Sequence, residues 1–293
     1  MILVLCIRIG TVTAVQEVHA FYYLWYGNPF LDNEFKHWNH EVLPHWEDRI
    51  NQLYPQVGQR FQPPFDLHSP FYPTKGPYSS KDPEVMKQHF REILNAGIDV
   101  IVASWWGQET KPTSTDTQGV NTDRTIKKLL EVADEFNREQ VSLAESESLL
   151  APPKQIKIAF HLEPYPGRTI ESVKEDVEYV ISRYGHYSSF YRDVARDNLP
   201  LFYVYDSYHI ESYNWARLLT KKGDVTLRKT KYDGIFIGLW LHPQHGKELQ
   251  TGGFDGAYSY FATDGFSYGS TTQNWKSMSS FCRKNQMICS LSV

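Results

Sequence analysis

The sequence predicts a parallel α/β fold, and three observations carry that prediction. Seven short, β-rich apolar runs recur along the 293 residues. Segments with helical apolar spacing separate them. Most of the runs are continuously apolar rather than alternating, which suits parallel strands covered on both faces.

Taken in order, the runs are "HAFYYLWY" (19–26), "DVIVASWWG" (99–107), "IKIAFHLEP" (156–164), "LPLFYVYDSY" (199–208), "GIFIGLWL" (234–241), "GAYSYFATDG" (256–265) and "QMICSLSV" (286–293). Six helices fit between them. Asp82 can cap the first, with Pro83 in its opening turn, Gly97 past its end, and Val85, Met86, Phe90, Ile93 and Leu94 on one face. The second starts at Asp123 and turns Ile126, Leu129, Leu130, Ala133 and Phe136 inward. The third follows Thr169, with Val173, Val177, Val180, Ile181 and Tyr184 inward and Gly185 as stop. The fourth carries "YNWARLLTKKG", the short fifth spans 247–252, and the sixth carries Trp275, Met278, Phe281 and Cys282.

This alternation fits either a doubly wound sheet or a closed barrel. Neither a G-x-G-x-x-G nor a P-loop pattern occurs, so nucleotide binding has no support. A (β/α)8 TIM-type barrel is favoured, with about seven strands visible and the eighth β/α unit missing. Two stretches depart from the alternation. Residues 28–80 are rich in Pro, His, Trp and Tyr, and so long a loop is often functional. Residues 137–155 are Ser/Glu-rich, end in Pro152-Pro153, and are expected to form a solvated insertion.

A chain of this length makes one large domain or two small ones. Its formal net charge of -4 gives no basic footprint for nucleic acid. Aromatic residues make up 15% of the chain. Flat rings stack on the apolar faces of sugars, though most Trp and Tyr rings simply fill cores. Cys6, Cys282 and Cys289 have neither a paired count nor C-x-x-C spacing, so neither a disulfide framework nor a zinc site is indicated. The opening "MILVLCIRIGTVTAV" is interrupted by Arg8 and falls short of the ~18 apolar residues that span a bilayer. Residues 1–17 read as a weak signal or an anchor remnant, and 18–293 as the barrel domain.

In β/α barrels the site lies at the C-terminal strand ends. Here those ends carry Tyr22, Tyr23, Trp25 and Tyr26; Trp105, Trp106 and Glu109; His161, Glu163 and Tyr165; Tyr205, Asp206, Ser207 and Tyr208; Trp240, His242 and His245; and Asp264. Aromatic, carboxylate and histidine groups fit a carbohydrate site better than a phosphate or metal site. His242 and His245 lack a nearby acidic cluster, so they read as solvated loop histidines rather than zinc ligands. Ser104 and Ser207 lack the glycines of a nucleophile elbow. Glu163 and Asp206 end neighbouring strands and could form the carboxylate pair of glycoside hydrolysis. Each could equally be hydrogen-bonded at a strand end to orient a ligand.

These residues resemble glycoside hydrolase family 99, the endo-α-1,2-mannosidases. The likeness rests on "FYYLWYGNP", "HWNHEVLPHW", "SPFYPTKGPYSSKDP", "SWWG", "AFHLEPYPGR", "LPLFYVYDSY", "YDGIFIGL", "GFDGAYSYFATDGFSYGS" and "QNWKSMSSFC", in family order over about 18–293. It implies a (β/α)8 barrel with no metal and no cofactor. It implies endo cleavage, with retention, of an α-1,2 linkage beside a glucose-capped mannose in an N-glycan, in the Golgi. One Glu would act as base on the sugar's own 2-hydroxyl and a second as acid. In the family both lie on a motif near N-E-W-H-E-G at strand eight, which does not occur here; "SLSV" (290–293) resembles strand seven. The expectation is a C-terminally truncated chain, inactive as given. The alternative is a non-catalytic sugar-binding isoform or an incomplete gene product. Such a barrel would expose two strand edges.

Glu163 and Asp206 remain only fallback candidates for catalysis. Tyr22, Tyr23, Trp105, Trp106, His161, Glu163, Tyr165, Asp206 and Tyr208 are expected to face the ligand, although some of the paired aromatics must turn into the barrel wall because strand side chains alternate. The expected partner is an oligomannose N-glycan or related α-mannoside, with no nucleic acid and no clear transmembrane helix.

Overall fold

A computed structural model of the chain describes residues 5–9, 17–44, 48–53, 56–148, 153–260 and 263–292. Leu5–Ile9 form β1 and Val18–Tyr22 form β2. The excursion after β2 carries two single-turn helices, α1 (Pro29–Asp32) and α2 (Asp48–Asn51). Then α3 (Pro83–Asn95) leads into β3 (Val100–Trp105), and α4 (Asp123–Ser146) into β4 (Lys157–Leu162). Next, α5 (Ile170–Tyr184) leads into the two-residue β5 (Arg192–Asp193) and then β6 (Leu199–Val204). The last units are α6 (Ser212–Leu219) with β7 (Ile235–Leu239), α7 (His245–Gly252) with β8 (Gly256–Tyr258), and α8 (Thr272–Lys284) with β9 (Ile288–Ser292).

Strands β2, β3, β4, β6, β7, β8 and β9 pair in that order, each parallel to the next. They are the seven parallel strands of a TIM-type fold. The ring does not stay open. β1 lies antiparallel to both β2 and β9, with Cys6 opposite His19 on one side and Ser292 on the other. This corrects the expectation of two exposed edges. The backbone of residues 5–9 supplies the hydrogen-bonding groups that β2 and β9 would otherwise present to solvent. Part of the segment read as a signal or anchor remnant is thus a barrel strand; residues 1–4 and 10–16 lie outside the described residues. No described helix is long and apolar enough to cross a membrane.

Strand periodicity sorts the core into two layers. Phe21, Val100, Val102, Ala159, Leu201, Tyr203, Ile237 and Tyr258 fill the barrel. The alternate residues Tyr22, Ile101, Ala103, Trp105, Phe160, Leu162, Phe202 and Val204 pack outward with the helices. Capping follows the sequence. Asp82 accepts from the Glu84 amide at 2.9 Å, and Thr169 forms a capping box with Ser172; each such cap is worth about 1 kcal/mol. Gly97 takes φ 78° just past α3, where a side chain would be strained.

The stretch expected to be a solvated insertion from Asn137 begins instead as helix, because α4 continues to Ser146. Asn137 is buried and brackets Ile156, donating to its carbonyl and accepting from its amide, both at 2.9 Å. This sews α4 to the entry of β4. Residues 149–152 lie outside the described residues.

Candidate functional site

Glu163 follows β4 on the inward-facing register and is buried. Two donors converge on its Oε1: the Ser104 hydroxyl from the end of β3 at 2.7 Å, and His161 Nδ1 at 3.0 Å. A carboxylate only accepts, so His161 donates from Nδ1. In its neutral form it then accepts at Nε2 from the Tyr258 hydroxyl, 2.9 Å away. Oε2 has no hydrogen bond among the described residues. The carboxylate is anchored by one oxygen, and the other is free for a donor from outside.

Aromatic rings surround it. Tyr205 packs against His161 with ring centroids 5.1 Å apart, and against Tyr260 at 5.5 Å. The Tyr23 and Tyr260 hydroxyls meet at 2.5 Å. Burial, with the neighbouring phenol and Glu163, holds the Tyr23 hydroxyl well above the usual phenol range. Tyr205 is raised in the same way, with Asp206 the largest charge contribution. These hydroxyls are therefore neutral donors at physiological pH. Arg168 reaches over from the loop after β4 and donates from Nη2 to the Asp206 carbonyl at 2.8 Å. Asp206 occupies the left-handed region at φ 47°, a strained setting of the kind that clusters at functional sites.

Of the residues expected to face a ligand, Tyr23, His161 and Glu163 are brought together here, with Asp206 at the next strand end. Three are placed elsewhere. The Tyr22 hydroxyl bonds His89 Nδ1 on α3 at 2.8 Å. Trp105 Nε1 donates to Asp123 on α4 at 2.8 Å. The Tyr165 hydroxyl donates to Asp176 and lies 2.7 Å from the Ser172 hydroxyl, both on α5. For Tyr22 and Trp105 the reason is strand alternation, which sends each outward because its neighbour points in. Tyr165 sits where the loop has already turned toward α5. Tyr208 is 40% exposed at the rim and stacks on His245 at 5.2 Å. Burial and Asp206 push its hydroxyl up to about 12.

Arg168, Tyr258 and Tyr260 belong to the site without having been singled out, and Ser104, considered only as a nucleophile, belongs to it as a donor to Glu163. The usable signal was period two: Ser104 shares parity with Val100 and Val102, and Tyr260 with Tyr258.

A cavity of about 850 Å³ opens beside these groups, roofed by the 28–80 excursion and lined in part by Trp25, His37, His68, Tyr72, Trp106 and Asp116. A ladder of rings joins the two. Tyr23 stacks on Trp25 at 4.3 Å, and Trp25 on His37 at 4.8 Å. Asp116 holds His37 Nε2 at 2.7 Å. Among the described residues, no three His, Cys, Asp or Glu side chains are arranged to hold a metal ion.

Fold and strand-end chemistry define a β/α-barrel protein whose site is built from stacked aromatic rings, a half-satisfied carboxylate and an arginine. The family model for glycosyl hydrolase family 99 matches residues 13–293. The chain is 42% identical over 273 residues to a glycoprotein endo-alpha-1,2-mannosidase of Rattus norvegicus, covering 92% of this chain and 54% of that protein. It is 42% identical over 274 residues to a glycoprotein endo-alpha-1,2-mannosidase-like protein of Danio rerio, covering 93% and 57%. Its fold matches the GH99 endo-alpha-mannosidase of Bacteroides thetaiotaomicron with a TM-score of 0.74 and 33% identity, over 92% of this chain and 69% of that one. The chain belongs to glycosyl hydrolase family 99. It spans about half the length of the curated relatives it matches.

Proposed function

We propose that the strand-end site binds a mannose-containing glycan of the kind an endo-α-1,2-mannosidase cleaves. The observation that carries this reading is Glu163, held at Oε1 by Ser104 and His161 and open at Oε2, within a wall of neutral tyrosine hydroxyls. A carboxylate acceptor beside neutral donors suits a polyol, whose hydroxyls both donate and accept. The stacked Tyr23, Trp25 and His37 rings connect the barrel mouth to the neighbouring cavity, whose aromatic lining suits the apolar faces of sugars.

The family resemblance supports hydrolysis with retention, N-glycan processing and a Golgi setting for the activity. Within residues 1–293, Glu163 and Asp206 act in this reading as binding groups. Glu163 is already committed to two donors on one oxygen, and the glutamate motif that the resemblance associates with acid/base chemistry is absent from the sequence. We expect saturable binding of a glucosyl-α-1,3-mannose disaccharide to purified 1–293, by calorimetry or thermal shift, and no cleavage of a glucose-capped oligomannose above the buffer rate. Absence of binding would overturn the glycan-site reading. Cleavage that Glu163→Gln abolishes would turn Glu163 from a binding group into a catalytic one.

A further inference from the structure

We propose that Arg168 is a specificity-determining residue of this site, and that its Nη1 donates to a sugar hydroxyl which Glu163 or Asp206 also contacts. The inference rests on the glycan-site reading above and names a contact within it. Nη2 is satisfied by the Asp206 carbonyl at 2.8 Å, while Nη1 is buried and has no hydrogen-bond partner. A guanidinium donor left unmatched away from water is costly, so such groups are rare unless something fills the place. Holding one carbonyl does not require a guanidinium, because a lysine ammonium could do it with one donor. What arginine adds is a planar fork with a second donor in a fixed direction. Arg168 holds the backbone of Asp206 at the end of β6, and β6 pairs with β4, whose end carries Glu163. With carboxylates at the ends of both paired strands, an anionic ligand would be repelled. A neutral hydroxyl can accept from Nη1 and donate to a carboxylate at once. Nη1 is shielded from water, so the ligand must shift a neighbouring side chain to reach it.

The test is a set of titrations with α-1,2-mannobiose and its monodeoxy analogues against the 1–293 chain and the Arg168→Gln and Arg168→Lys variants, each checked for an unchanged thermal midpoint. One deoxy analogue should bind wild type about tenfold or more weakly than the parent sugar. Arg168→Gln should bind the parent about tenfold more weakly and no longer distinguish that analogue. Arg168→Lys, which keeps the charge, should fold even if the glutamine variant does not, and should recover only part of the discrimination. Equal discrimination in wild type and either folded variant would overturn the assignment. If wild type binds none of the sugars, the glycan-site reading falls and this assignment with it. If wild type binds and the variants match it, only this assignment falls.

Discussion

Ser104 donates from Oγ to Oε1 of Glu163 across 2.7 Å, and the bond ties together the C-terminal ends of two adjacent parallel strands. With His161 on the same oxygen, it fixes the carboxylate and leaves Oε2 as the acceptor facing outward. Glu163→Gln keeps a carbonyl oxygen for both donors but turns the other position from acceptor to donor. The fold should survive, with little change in thermal midpoint. Glycan affinity should fall by about 10- to 100-fold, the equivalent of one hydrogen bond to a charged group. Calorimetric titration of the variant checks this, and wild-type affinity would remove Glu163 from the binding surface.

Tyr22 and Tyr23 are neighbours with opposite roles, and a matched pair of substitutions should separate them. Tyr22→Phe deletes the bond to His89 Nδ1 beneath α3. It should cost about 1–3 kcal/mol of stability, because a buried acceptor is left unmet, and leave sugar binding unchanged. Tyr23→Phe removes one hydroxyl of the Tyr23–Tyr260 pair while keeping the ring stacked on Trp25. It should weaken binding more than it weakens the fold. Chemical denaturation and titration of both variants give the answer, and identical profiles would contradict the inward and outward assignment.

That pair also shows how far the sequence could be read. The continuous apolar runs identify strands without saying which face of each one looks inward. Phase is set by pairing register, and one residue of slip reverses every side chain. Tyr22 and Trp105 matched Tyr23 and Glu163 as candidate ligand contacts until the register was known, whereas Tyr165 shares the parity of Glu163 and is turned away only by the loop leading to α5. The helices were more legible, because Asp82 and Thr169 are local caps that need no distant partner. β1 was hidden for the opposite reason. Its role depends wholly on strands far away in sequence, and its short apolar run resembles an export signal as much as a strand. Arg168 was obscured by sitting in a loop after Pro164 and Pro166, where no periodicity operates.

His89 should make the fold acid-sensitive. Burial lowers its pKa to about 4, with Glu92 pulling the other way, while Tyr22 and Tyr78 enclose it. In the unfolded chain an imidazole titrates near 6.5. Between those values the unfolded state binds a proton that the folded state refuses. The stability contribution is therefore complete above about pH 6.5 and lost as pH falls toward 4, amounting to at most about 3 kcal/mol. His68, also lowered by burial and by His40 and His37, shifts stability in the same direction. Urea midpoints measured from pH 7 to 4.5 should drop, and His89→Gln should flatten the profile. A profile with the same slope in that variant would assign the acid sensitivity elsewhere.

The closure of the barrel by β1 makes a sharper demand. Ile7 lies opposite Val18 on one side and Leu291 on the other, so both ladders pass through one residue. A proline there removes an amide donor and cannot continue a paired central strand. Ile7→Pro should lower the thermal midpoint by several degrees, about what the loss of 2 kcal/mol produces in a domain of this size. The effect should also be local. β2 and β9 would gain free edges, so the amides of residues 18–20 and 289–292 should exchange with solvent faster. Those of β4, β6 and β7, on the far side of the ring, should keep their protection. Hydrogen exchange read segment by segment makes the comparison. If β2 and β9 exchange at wild-type rates in the proline variant, β1 does not close the barrel in solution. If protection is lost uniformly around the ring, the strand is part of the cooperative core rather than a local seal.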